Sequence, residues 1–197
     1  VRIQDGDAVQ AWREHDALLS EKCEILNKYQ FTELHYGNEA GTDFRVGLVK
    51  NHIWEGGSEE SGSGVRFIAN MPTEEVFTMP DYRKAEGKVV SSRPLSYRGN
   101  LIKDFSLTFH EGKVVDFDAR EGYDALKQLL DTDEGSKSLG EVALVPYASP
   151  ISEMGILFYN TLFDENASCH LALGECYPTT VQDGEKMNEE ELHQIGG

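Results

Sequence analysis

The apolar pattern of the chain changes near residue 30, and that change limits what it can fold into. Before it, Ala8, Trp12, Leu19, Cys23 and Leu26 recur near one stripe, which predicts a long amphipathic helix over residues 8–29. Asp7 followed by Gln10 predicts a capping box at its start. Beyond it, apolar residues fall in short β-rich runs at 31–36, 44–50, 66–70 and 89–98, separated by Gly, Asn or Ser. The alternation of residues 105–109, joined through Glu111-Gly112 to 114–117, predicts a hairpin. Helical spacing returns over 121–133, with Gly135 as the expected C′ residue, and 141–146 reads as a buried strand. Residues 56–64 read as a flexible polar loop and 182–197 as an acidic, polar tail. The predicted fold class is α+β: an N-terminal helix, then a mostly antiparallel or mixed sheet with a few short helices. One domain is expected over residues 1–197.

Composition removes several functions. With 35 acidic against 18 basic residues the net charge is -17, and no basic stripe is present to meet a nucleic-acid backbone. The longest apolar runs are a few residues, so no membrane span is predicted. Three cysteines without CxxC spacing argue against a disulfide framework or zinc knuckle and suit a reducing, cytoplasmic setting. GxSxG, P-loop and GxGxxG words are absent, and His110-Glu111 does not continue to HExxH. Cys169 and His170 are adjacent, so they face apart and do not pair as nucleophile and base; packing is the expected role of Cys169.

Three segments place acidic or imidazole groups in apolar surroundings. Glu74-Glu75 leads into Val76-Phe77-Thr78, Glu141 opens an apolar strand, and His170 follows Asp164-Glu165-Asn166 into Leu171-Ala172-Leu173. Alternation sends the two adjacent glutamates to opposite faces, so one of them points inward. Each group alone is compatible with a solvated glutamate or a hydrogen-bonded core histidine. Together they supply two carboxylates and an imidazole, whose burial is costly unless they are paired or hold a cation. Such donors, without thiolate, suit zinc, manganese or cobalt in a hydrolytic site. A metal-free, two-carboxylate glycoside hydrolase and a folded non-catalytic module are the alternatives.

The same segments resemble one family, the metal-dependent aminopeptidases called aminopeptidase T, aminopeptidase S and peptidase S. The resemblance is carried by Asn70-Met71-Pro72-Thr73-Glu74-Glu75-Val76-Phe77-Thr78, by Leu139-Gly140-Glu141, and by Thr161-Leu162-Phe163-Asp164-Glu165-Asn166-Ala167 through His170-Leu171-Ala172-Leu173-Gly174. Gly41-Thr42-Asp43-Phe44 and Ala11-Trp12 also fit, so the likeness spans essentially the whole chain. It implies an exopeptidase with two divalent ions (zinc, cobalt, manganese or magnesium) acting on peptides, cytoplasmic, with a homodimer as its possible assembly. It implies Glu75 (or Glu74), Glu141 and His170 as metal ligands, and Tyr177, seven residues after His170, as a further site residue. Glu75 is preferred because the spacing of 141 - 75 = 66 matches the family's pattern. Family members are roughly twice as long, start with an α/β domain, and carry further ligands in a His-x-Asp pair that neither His193-Gln194-Ile195 nor any residue before it reproduces. The resemblance therefore implies a fragment of a longer two-domain protein, with an incomplete metal site and little or no activity by itself.

Overall fold

The structure, a computed structural model, describes residue 2 and residues 6–197. It is α+β. Helix α1 (Ala8–Tyr29) is N-capped by Asp7, whose carboxylate accepts from the amides of Val9 and Gln10. Such a cap contributes about 1 kcal/mol. The reciprocal half of the predicted capping box is absent, because the Gln10 amide donates forward to Glu14 at 2.8 Å. The buried stripe is Trp12, His15, Leu19 and Cys23, so a histidine occupies a position that the apolar pattern skipped.

The larger sheet contains β1 (Glu33–Gly37), β2 (Asp43–Leu48), β6 (Pro80–Val90), β8 (Asn100–His110) and β7 (Leu95–Tyr97) in that order, with β9 (Lys113–Glu121) also paired to β8. All these pairings are antiparallel. The hairpin of β8 and β9 turns at Glu111 and Gly112, both with positive φ (48° and 79°), the two-residue geometry that matches strand twist. Strand β6 is not legible as apolar alternation, because Asp81, Arg83, Lys84, Glu86 and Lys88 interrupt it. The run predicted at 89–98 accordingly splits between the end of β6 and β7. The 56–64 loop contains β3 (Ser58–Glu60), which pairs with β4 (Arg66–Ile68) and is tied to α1 where Asp16 accepts from Ser58.

Helix α2 (Tyr123–Leu130) is shorter than the predicted 121–133. Strand β9 runs to Glu121, Gly122 turns the chain at φ 79°, and the C-cap is Asp131. Gly135 is thus not its C′ residue but opens a separate 3₁₀ turn, Gly135–Lys137. One core joins Leu19 of α1, Leu126 of α2 and Phe44 and Phe109 of the large sheet to Trp54 and Val142, with the Phe44 and Phe109 rings 5.1 Å apart.

A second, three-stranded sheet sets β10 (Leu139–Leu144) between β5 (Val76–Thr78) and β11 (His170–Leu173), again antiparallel. Short helices α3 (Pro150–Met154) and α4 (Thr161–Glu165) lie between β10 and β11. The polar tail is more ordered than its composition suggests. Helix α5 (Glu189–Ile195) starts with a true capping box, Asn188 with Glu191, and buries Leu192 against Val49, Met79 and Val181.

Candidate metal centre

All three sequence-predicted ligands lie in or next to the three-stranded sheet. Glu75 immediately precedes β5, Glu141 lies in β10, and His170 opens β11. In the register, Ala143 is opposite Phe77 on one side and His170 on the other, while Glu141 is two residues from Ala143 and shares its face. The methyl of Ala143 leaves the middle of that face open to the larger acidic and imidazole groups.

Two close approaches of backbone hold the ligands there. Gly140 stands at a register shift of β10 directly before Glu141, and a Cβ on it would collide with the carbonyls of Glu175 and Gly174. Gly56 sits against the Glu75 carbonyl, which its Cβ would meet at 2.6 Å. On its other edge β5 is pinned by two backbone bonds with Glu55, both 2.9 Å.

Glu75, Glu141 and His170 each offer one donor atom, and these three atoms lie within 4.8 Å of one another. They are the one such group of acidic, imidazole or thiol residues among the described residues. The His170 Nε2 is 2.8 Å from Glu75 Oε2 and 3.7 Å from Glu141 Oε1. Its Nδ1 lies 3.1 Å from the Ser168 carbonyl, which only accepts, so Nδ1 carries a hydrogen and Nε2 is the atom turned to the carboxylates. The Glu75–His170 approach is close but not directed along an N–H, and Glu75 Oε2 is left buried without an aligned hydrogen-bond partner. A buried carboxylate oxygen in that condition costs free energy unless a cation completes it. This donor set, two carboxylates and one imidazole with an orphaned oxygen between them, fits a divalent metal.

The ionisable groups of the cluster perturb one another. Burial, then the neighbouring Glu75, pushes the Glu141 carboxyl well above its ordinary range, against the opposing pull of His170. Burial disfavours charge on His170, but Glu75, the Ser168 carbonyl and Glu165 together outweigh it and raise its basicity. Glu165, at the end of α4, feels the same group: burial raises its carboxyl, His170 lowers it and Glu75 raises it. Sequence reasoning left Glu165 unassigned, although it stands in one of the three segments singled out.

The other half of the acidic pair is buried and separately satisfied. Glu74, 5% exposed, receives the Arg2 guanidinium at 2.7 and 2.9 Å, and His15 Nε2 stands 3.5 Å away. Arg2 also donates to His15 Nδ1 at 2.9 Å, so the ring hydrogen is on Nε2, which donates to the Thr73 carbonyl at 2.7 Å. Glu74 is thus buried and paired with a basic group rather than solvated. Neither Arg2, which precedes α1, nor His15, within it, carried a signal in the sequence.

Tyr177 lies on the loop after β11, 61% exposed, with its ring 6.0 Å from that of Phe77. Cys169 is exposed rather than packed; its thiol reaches the Val145 carbonyl at 3.5 Å. Beside a strand edge the backbone supplies the partner that a core would not.

A carboxylate–imidazole cluster on this sheet has the donor chemistry of a divalent-metal site, and comparison with known proteins gives the family. The chain belongs to the thermophilic metalloproteases (M29), whose sequence pattern matches residues 1–197. A divalent metal is implied by that membership. Over 195 residues the chain is 52% identical to Aminopeptidase 2 of Geobacillus stearothermophilus, covering 99% of this chain and 47% of that protein. It is 42% identical over 196 residues to Aminopeptidase T of Thermus aquaticus, covering 100% of this chain and 47% of the relative. The chain thus spans about half the length of the curated relatives it matches. The solved structure of wild-type AmpT from Thermus thermophilus superposes with a TM-score of 0.89 at 42% identity, covering 96% of this chain and 46% of that one. 2,5-dihydroxypyridine dioxygenase from Pseudomonas putida KT2440 shares the fold alone, with a TM-score of 0.54 at 18% identity. No helix among the described residues is long and apolar enough to cross a membrane.

Proposed function

We propose that this chain is the metal-binding part of an aminopeptidase that releases N-terminal amino acids from peptides. The observation that carries the reading is the convergence of Glu75, Glu141 and His170 around the orphaned Glu75 Oε2, in a chain of metalloprotease descent. Glu75, Glu141 and His170 hold the metal, with Glu165 near enough to act on the same charge. Two divalent ions, of zinc, cobalt, manganese or magnesium, supply Lewis acidity and an acidified water when bound.

The remaining work falls to the chain. Glu141, in the middle strand, would help to hold the metal, or would take the proton of the attacking water and return it to the departing amine. Tyr177 donates a hydrogen bond as negative charge develops on the carbonyl oxygen, a role suited to a phenol that stays protonated near neutrality. The surplus of carboxylates attracts the free ammonium of a peptide, which selects N-termini over internal bonds. A cytoplasmic setting and a homodimer complete the reading, with residues 1–197 as one catalytic-type domain of a longer protein.

The test is hydrolysis of an amino-acid p-nitroanilide by the full-length protein with added cobalt, beside the same substrate acetylated on its amine. Cobalt-dependent release from the free amine alone is expected. Equal cleavage of the acetylated substrate, or turnover unaffected by a chelator, contradicts the proposal.

A further inference from the structure

We propose that Asn166 is a positioning residue for the metal centre, fixing where Glu75 stands relative to His170. The inference rests on the metal role of Glu75, Glu141 and His170 argued above. Asn166 directly follows α4, four residues before His170, and its side chain is completely buried. Its Oδ1 accepts the Glu74 backbone N–H at 2.6 Å across 92 residues of sequence. Its Nδ2 donates to the Leu162 carbonyl at 2.8 Å, and its own carbonyl accepts the buried Ser149 hydroxyl at 3.0 Å. Both ends of the amide are therefore used, and the side chain has one orientation that satisfies them.

The consequence falls on the neighbouring residue. Glu74 is held twice, at its amide by Asn166 and at its carboxylate by Arg2. With Glu74 fixed, the next Cα is fixed too, and Glu75 is turned towards His170. Asn166 thereby joins two segments that carry ligands, the one entering β5 and the one entering β11, at a point outside the ligand shell. Metal sites accept errors of only about 0.2 Å in ligand distance, so a backbone link of this kind sets affinity as well as stability. Groups that orient ligands from outside the shell are typically worth 10–100-fold in metal affinity.

Cobalt(II) binding to the full-length protein tests this, by calorimetry together with the visible absorption of the bound ion, which reports coordination geometry. Asn166→Leu is expected to weaken cobalt binding roughly 10- to 100-fold and to change the spectrum. Ser149→Ala, which removes a bond to the same residue without touching Glu74, is expected to lower the melting temperature and leave affinity and spectrum unchanged. Wild-type affinity and spectrum in Asn166→Leu overturn the inference while leaving the metal reading intact. Absence of saturable cobalt binding in the unsubstituted protein overturns the metal reading itself, and this inference with it. If Asn166→Leu does not fold, Asn166→Ser, whose hydroxyl falls short of the Glu74 amide, is read in the same way. Failure of both to fold assigns Asn166 to the architecture alone and overturns the proposal.

Discussion

Glu74 and Glu75 are consecutive and both nearly fully buried, yet their carboxylates answer to different partners: Arg2 meets Glu74 at 2.7 Å, and His170 meets Glu75 at 2.8 Å. The two glutamates should therefore separate when mutated. Glu74→Gln leaves buried donors without their anion and is expected to cost about 1–3 kcal/mol of stability. Glu75→Gln relieves a crowded acidic site and is expected to change stability little while removing most divalent-metal affinity. Urea unfolding and metal titration of both variants check this; metal affinity lost equally by both would mean that the two glutamates do not divide into a structural residue and a ligand.

Gly140→Ala should damage the centre without touching a ligand. The added methyl collides with the carbonyls of Glu175 and Gly174, backbone that cannot rotate away. Overpacking of this kind costs about 1–3 kcal/mol, and the shift it forces falls on Glu141, the next residue. A lowered melting temperature together with weaker metal binding is expected. Unchanged melting would show that the β10 bulge has room that the structure denies it.

Tyr177→Phe should alter turnover and little else. The side chain is 61% exposed, and exposed substitutions stay within about 0.5 kcal/mol in stability. If its hydroxyl stabilises the developing oxyanion, kcat of the full-length enzyme falls roughly 10²- to 10³-fold with KM little changed. Normal kcat in a protein of normal stability excludes Tyr177 from the reaction.

Acid should expose the worth of Asp81. Burial alone would raise its carboxyl, but Arg83 at 2.8 Å and Lys84 at 2.9 Å outweigh burial and hold it below the ordinary value. A group depressed in the folded state adds stability that is full above its unfolded value, about 3.9, and is lost as pH falls through the folded one. Stability of the unsubstituted protein should therefore drop more steeply below pH 4 than that of Asp81→Asn. Parallel curves for the two, from urea midpoints between pH 7 and pH 3, would refute it.

How much of this was legible follows from what each signal depends on. Trp12, Leu19 and Cys23 announced α1 because one face of a long helix is read from spacing alone, and the hairpin was plain from its turn residues. Strand β6 was hidden because Arg83, Lys84, Glu86 and Lys88 occupy its exposed positions and leave little apolar alternation to read. Glu75, Glu141 and His170 were found because acidic and imidazole groups in apolar runs are conspicuous, and because the surrounding words resemble a known family. Arg2, His15 and Asn166 were not, since what matters about them is a partner 13 to 92 residues away. Asn166 in particular reads as a loop residue until the fold brings Glu74 against it.

The most direct measurement is anomalous diffraction at the cobalt edge from crystals of the full-length protein grown with cobalt. A peak is expected between Glu75, Glu141 and His170, with a carboxylate oxygen of each glutamate and His170 Nε2 about 2.0–2.2 Å from a metal position. Cobalt bound elsewhere at saturation, with these three side chains keeping only each other as partners, would contradict the assignment of the site.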